Sequence, residues 1–526
     1  MRDFQSPGRS VVIAANGLCA TSHPLATQVA VRMMQDGGNA VDAAIAAAVL
    51  LGICEPAMTG IGGDCFALVK PASEERIVGL NGSGRAPVGL DAAALRAAGH
   101  STMPLKDAAA VTVPGAVDAF VRLSADWGKL GLAASLAPAI RYAEEGVPVA
   151  PRVAADWVEH AASISGDAKR FYLSGGAPFR AGQRFRAPGQ AEVLRRIARD
   201  GRAGFYEGEV AEDMVASLRA LGGTHDAADF AATACDQVEP VSGMYRGHEL
   251  VELPPNGQGA TAILMAKILG RFDVASMDPA GAARAHLEAE AAKLAYDARD
   301  RFIADPDHVT RLDHMLSEET AARLAALIDP DRALPDPRAA SEEVHRETVY
   351  LTVVDGERMA ISLIYSVYNA FGSGLASARF GINFQNRGGG FNLTPGHPNE
   401  AGGGKRPMHT IIPAMLRRDG RLMMPFGVMG GAYQPAGHAR MLTNMLDYGM
   451  DPQEAIDAPR SFPDAGAMEL ETGYSPEAAD GLAARGHRVT RRTSPLGGAQ
   501  AIVIDAANGV LIGASDPRKD GCALGY

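Results

Sequence analysis

The stretch Glu347-Thr348-Val349-Tyr350-Leu351-Thr352-Val353-Val354-Asp355-Gly356 decides how this chain is to be read. From Thr348 to Val354 it is mostly β-branched and aromatic, Asp355-Gly356 turns, and Met359 to Tyr365 returns as a second strand. A turn centred near Gly356-Glu357 sets Thr348 across from Tyr365 or, with one bulged residue, from Ser366. Upstream, residues 305–346 are rich in charge and proline with one helical island, which reads as an exposed, partly mobile connector. Such a connector, running straight into a buried strand that opens on a hydroxyl, suits an enzyme that cuts its own chain at Glu347-Thr348. The freed Thr348 then holds nucleophile and base together. Its Oγ attacks a carbonyl, and its α-amino group, with a pKa of about 8, takes the proton. On these residues alone, a threonine that simply starts a strand fits as well.

The rest of the composition narrows the class. The chain has 526 residues, 47% hydrophobic and 21% charged, which is enough to bury a large core and excludes a disordered chain. A net charge of -11 argues against nucleic acid or an anionic membrane as partner. The five cysteines are scattered and include no CxxC, so neither a disulfide framework nor a zinc site is expected. His397, His409 and His438 are lone residues, and no metal or other cofactor is expected. The N-terminus has no apolar signal core, and the apolar run 43–54 is too short to span a bilayer. A soluble cytoplasmic protein is the expectation.

Helical spacing places two helices within 25–51, meeting at Asp36-Gly37-Gly38-Asn39. Others are expected near 107–126, 134–145, 189–199, 209–221 and 282–301, with strands at Cys65–Val69 and Ala501–Ile504. The loop Gly60-Ile61-Gly62-Gly63-Asp64 lacks a full phosphate-binding pattern and reads as close helix packing.

Six blocks in order, GGNAVDAAIAAAVLLGICEPAMTGIGGDCFALV (37–69), TVYLTVVD (348–355), FGSGL (371–375), GGGKRPMHTIIP (402–413), GVMGGA (427–432) and GASDPR (513–518), resemble the gamma-glutamyltranspeptidase family. The resemblance implies an α/β fold, the αββα sandwich of N-terminal-nucleophile hydrolases. It implies a proenzyme that cuts itself into a large subunit, 1–347, ending in a linker at about 305–347, and a small one, 348–526. The two stay together in one interleaved fold, and further homo-oligomers are possible. Thr348 falls at the nucleophile, Ser366 at a second hydroxyl that bonds it, and Gly430-Gly431 at the oxyanion hole. Residues without side chains suit that last role, since the oxyanion must approach the amides to about 3 Å.

The departures from the family carry the substrate reading. Where the family holds the substrate α-carboxylate with an Arg, this chain has Ser83, with Arg85 two residues on. Where an Asp holds the α-amino group, it reads Gly388-Gly389-Gly390-Phe391. Tyr368 replaces an Asn, and His409-Thr410 replaces a serine pair. Each lost charge-assisted bond costs about 1.5–3 kcal/mol, so glutathione should bind poorly. Arg387 and His409, without an acid, suit a small acid that lacks an amino group. With QNRGGGF and KRPMHTIIP the chain resembles the branch that includes oxamate amidohydrolases, where Arg387 or Arg85 would hold the carboxylate. Residual gamma-glutamyl hydrolase or transferase activity, and an uncut binding protein, are the competing readings.

Overall fold

The computed structural model describes residues 5, 8–334 and 348–526. The hairpin forms as the sequence leads one to expect: the strand Val349–Val354 pairs antiparallel with Ala360–Ser366. Its register runs unbroken from Val354 opposite Ala360 to Val349 opposite Tyr365, so continuing it brings Thr348 to Ser366 without the bulge. The connection is five residues centred on Glu357, and Asp355 Oδ1 accepts from the N–H of Glu357 and of Met359, each at 3.0 Å.

This hairpin lies inside a seven-stranded antiparallel sheet. Its order is Cys522–Gly525, Leu18–Thr21, Val349–Val354, Ala360–Ser366, Asp64–Lys70, Val78–Gly82 and Asp236–Val238. Strands from both sides of position 348 are therefore interleaved in one sheet. The second seven-stranded sheet runs Val12–Ala14, Val510–Ser515, Gly498–Asp505, Arg421–Met429, Ala414–Arg418, His248–Glu252 and Val241–Tyr245.

The two-residue period of the strand explains why it needs apolar residues throughout. Val349, Leu351 and Val353 enter the core shared with helices Pro24–Gln35, Ala40–Cys54 and Ala116–Trp127. Tyr350 and Val354 enter the core between the sheets, with Phe66, Ile364, Met415 and Ile502. There Gly427 lets the sheets close, since a Cβ at that position would stand 2.4 Å from the Tyr350 ring. Helices Gly259–Leu269, Ala282–Phe302 and Gln434–Leu446 cover the far face. The layers are helix, sheet, sheet, helix. Every residue of Ala40–Cys54 is buried, and its first turn is held by the Asn39–Asp42 capping box. None of the helices among the described residues is long and apolar enough to cross a membrane.

Within the charged connector, Leu312–Leu316 and Glu318–Ala325 are helical and their Met315 and Ala321 are fully buried in the outer core, while most of the described residues of this stretch are exposed. Residues 335–347, including the expected cleavage residue Glu347, lie outside the described residues. The loop at Gly60–Asp64 packs closely on the helix Ala40–Cys54 at Gly60, where a Cβ on Gly52 would stand 3.2 Å from the Gly60 Cα, and on other backbone at Gly62 and Gly63. A Cβ on Gly62 would meet the Asn383 carbonyl at 2.0 Å, and one on Gly63 would meet that of Ser366 at 2.3 Å.

Candidate active site

Thr348 begins the inner strand and is 2% exposed. Its Oγ1 donates to Ser366 Oγ across 3.2 Å, the contact that the hairpin register produces. Ser366 Oγ also accepts from Arg387 Nη2 at 3.2 Å and from the Tyr368 N–H at 2.8 Å. Tyr368 adopts φ +80°, which costs a non-glycine residue strain and aims its amide back at Ser366. The Arg387 guanidinium stacks 4.3 Å above the Tyr368 ring.

Arg387 is fully buried, and no carboxylate among the described residues forms an ion pair with it. Nη1 donates to Thr410 Oγ1 at 2.9 Å, while Nε has no partner. Burial lowers its pKa to about 10, countered by the Asp64 charge, so it stays a cation at neutral pH. A buried, incompletely satisfied cation attracts an anion. Arg387 opens a glycine run with close neighbours. A Cβ would meet the Ala110 carbonyl oxygen at 2.8 Å from Gly388, Leu105 Cδ2 at 2.3 Å from Gly389, and the Met408 carbonyl oxygen at 2.2 Å from Gly390. At Gly388 and Gly390 the obstacle is backbone, so a side chain there would force the chain apart, whereas at Gly389 the tip of the Leu105 side chain stands in the way.

The pocket is nevertheless not free of acid. Asp64, read in the sequence only as part of a glycine loop, is fully buried beside His409. Its Oδ1 accepts from the N–H of Gly84 and Gly115, each at 3.0 Å, and from Gln385 Nε2 at 2.8 Å. Its Oδ2 lies 3.1 Å from His409 Nε2, and His409 Nδ1 accepts from the Ile411 N–H. With Nδ1 an acceptor, Nε2 carries the proton and donates to Asp64. Burial, then the Arg387 charge, pushes the His409 pKa down to about 3. His409 is thus a neutral spacer between Asp64 and the site.

Among the described residues, Arg85, the other candidate for holding a carboxylate, makes no hydrogen bond to these side chains. It is nearly half exposed, and its Nη1 reaches Asp305 at 3.3 Å and the Gly404 carbonyl at 3.0 Å. The sequence also gave no signal for Gln258. Its Nε2 donates to the carbonyls of Thr410 at 2.7 Å and Gly431 at 3.0 Å, tying the Arg387 partner to the glycine pair.

Gly430 and Gly431 follow the strand Arg421–Met429 with φ +124° and +55°, a conformation that favours glycine. They open a short helical turn, where the first N–H groups have no partner within the turn. Thr348, Gly430, Tyr433 and Gly497 line one cavity of about 530 Å³. Among the described residues one group, His286, Glu290 and His487, has ligand atoms close enough to hold an ion. There the two histidines bond each other at 2.7 Å and Lys293 donates to Glu290 at 2.7 Å, so these donors already have partners.

Buried neutral histidines set an acid limit. His409 at about 3, and His23 and His487 at about 4, resist protonation when folded, whereas the unfolded chain binds protons near 6.5. Their stabilisation is complete above pH 6.5 and is lost as pH falls toward 4. Glu55, raised to about 7 by burial, acts in the opposite sense. Burial lowers His225 as well and raises Glu252, Asp355 and Asp457 above their ordinary values; with four histidines losing their stabilisation just below pH 6.5, the melting temperature should fall between pH 7 and pH 5. A flat or rising curve over that interval would contradict the assignment.

The layered fold, with a hydroxyl opening an inner strand beside a glycine pair, defines an N-terminal-nucleophile hydrolase. The chain matches the gamma-glutamyltranspeptidase family over residues 26–526 and belongs to it. It is 35% identical to the glutathione hydrolase-like YwrD proenzyme of Bacillus subtilis over 98% of this chain and 99% of that one. It is also 35% identical to the oxamate amidohydrolase proenzyme of Klebsiella pneumoniae, with the same coverage. The crystal structure of cephalosporin acylase from Bacillus halodurans superposes with a TM-score of 0.93 at 38% identity, covering 100% of this chain and 99% of that one. The protein is an amidohydrolase of this family.

Proposed function

We propose that the chain cuts itself before Thr348, leaving subunits 1–347 and 348–526, and that Thr348 then hydrolyses small amides whose carbonyl carries a neighbouring carboxylate, of the oxamate type. The observation that carries the substrate reading is Arg387, a buried cation with no ion-pair partner, one hydroxyl away from Thr348. An acyl carboxylate bound there would set its carbonyl at the Thr348 oxygen. Thr348 Oγ attacks, its α-amino group takes the proton, and the Gly430 and Gly431 amides receive the oxyanion. The amine leaves with that proton, and water then releases the acid from the Thr348 ester. The backbone packed against Gly388 and Gly390 supports a substrate without an α-ammonium group. The resemblance to an oxamate amidohydrolase supports the same class.

The test is ammonia release from oxamate measured beside glutathione hydrolysis. The expected result is a kcat/KM for oxamate at least ten times that for glutathione. A preference for glutathione would refute the oxamate-type reading.

A further inference from the structure

We infer that Lys519 anchors a negatively charged group on the amine half of the substrate, so that the amides best suited to this site carry an acid on each side of the scissile bond. This rests on the proposed roles of Thr348 as nucleophile and Arg387 as anchor of the acyl carboxylate.

The geometry separates the two halves. The cavity is lined by Thr348, Gly430, Tyr433 and Lys519, whereas Ser366 and Arg387 are fully buried and do not line it. A carbonyl at the Thr348 oxygen with its acyl carboxylate at Arg387 therefore has its amine half in the cavity. Oxamate offers only an NH₂ group there, comparable to one water, whose share of liquid volume is about 30 Å³. A cavity of about 530 Å³ is in the range that takes far larger groups.

Lys519 supplies the chemistry. It is 7% exposed, and among the described residues its ammonium makes no hydrogen bond or ion pair. Glu55 feels its charge without pairing to it. Of the other cations of the lining, Arg492 is paired with Glu469 and Arg152 with Asp156, Arg488 and Arg491 donate to backbone carbonyls, and Glu159 and Asp464 also lie in the wall. Gly498 leaves room for the lysine stem, since a Cβ there would stand 3.0 Å from Lys519 Cγ. A nearly buried ammonium that has lost most of its water needs an acceptor, and the cavity is where one can enter. The fitting class is an amide joining a short diacid to an amino acid. Attack forms the Thr348 ester and breaks the C–N bond, the amino acid leaves with the proton, and water frees the diacid.

N-Oxalylglycine and N-oxalylethanolamine share the acyl half and differ at the end of the amine half, a carboxylate in one and a neutral hydroxymethyl group in the other. Lys519→Met should raise the KM for N-oxalylglycine at least ten times more than that for N-oxalylethanolamine, and Lys519→Arg should restore most of the difference. Equal changes on the two substrates, or none, would overturn the assignment. If the parent cleaves neither, the proposed reaction fails, and the anion site is read from melting temperature. A rise with N-oxalylglycine in the parent that is lost in Lys519→Met supports the site. No rise, or the same rise in both, overturns it.

Discussion

Purified Thr348→Ala should stay a single full-length chain on ageing and should show no amidase activity, while the parent splits into two fragments that meet at Glu347-Thr348. The substitution removes the only hydroxyl that begins the inner strand, yet it changes little else. Thr348 is buried, and its hydroxyl donates across 3.2 Å to Ser366, which keeps its Arg387 and Tyr368 donors in the variant. Folding should therefore survive. Both the cut and the catalysis use the same oxygen. In the proposed precursor step it attacks the carbonyl of residue 347, which breaks the C–N bond, frees the α-amino group with the proton and leaves an ester that water hydrolyses to separate the fragments; in the mature enzyme it attacks the substrate. Loss of a catalytic nucleophile lowers kcat by about 10⁶ where it has been isolated, so activity should fall below detection. Thr348→Ser keeps the oxygen and should still be cut. Intact mass read beside an amide assay decides the matter. A cut at the same bond in the alanine variant, or surviving hydrolysis, would remove Thr348 from the mechanism.

What the sequence discloses of this site depends on how local each signal is. The hairpin is visible because Thr348 to Val354 and Met359 to Tyr365 are β-rich with a turn between them. That reading leaves the register open by one residue, between Tyr365 and a bulged Ser366, for a physical reason. Both faces of the strands are buried, one against helices and one against the second sheet, so no polar alternation fixes which residues face each other. Asp355, gathering two amides across a five-residue loop, decides it instead. The paired helices at 24–54 are legible from spacing and glycines alone. Arg387 stands out only through the family resemblance, and the structure supplies its burial and its missing partner. Asp64 and Gln258 could not be found in this way. Asp64 meets His409 from 345 positions away, and Gln258 reaches Gly431 from 173 positions away. No local pattern encodes either contact. The connector's charge gives its exposure, whereas the anchoring of its helices by Met315 and Ala321 is not visible in composition.

Arg387→Ala should raise the KM for oxamate by about ten- to a hundredfold and leave that for oxamide, its neutral counterpart, within about threefold. The size follows from the charge-assisted bonds that the guanidinium would give a carboxylate, each about 1.5–3 kcal/mol, with 1.4 kcal/mol per tenfold. The selectivity follows from the setting. Thr410 and Ser366 are the only hydrogen-bond partners of Arg387 among the described residues, and both are neutral, so its charge is not consumed within the protein. Removing it does not strand an ion-paired acid, because Asp64 remains held by two backbone amides, Gln385 and His409. Arg387→Lys separates charge from geometry. An ammonium keeps the sign but cannot bond Ser366, Thr410 and a carboxylate in the fixed fork of a guanidinium, so this variant should fall between parent and alanine. If instead alanine lowers kcat equally on oxamate and oxamide, Arg387 acts through Ser366 on the position of Thr348. The carboxylate anchor must then be sought elsewhere.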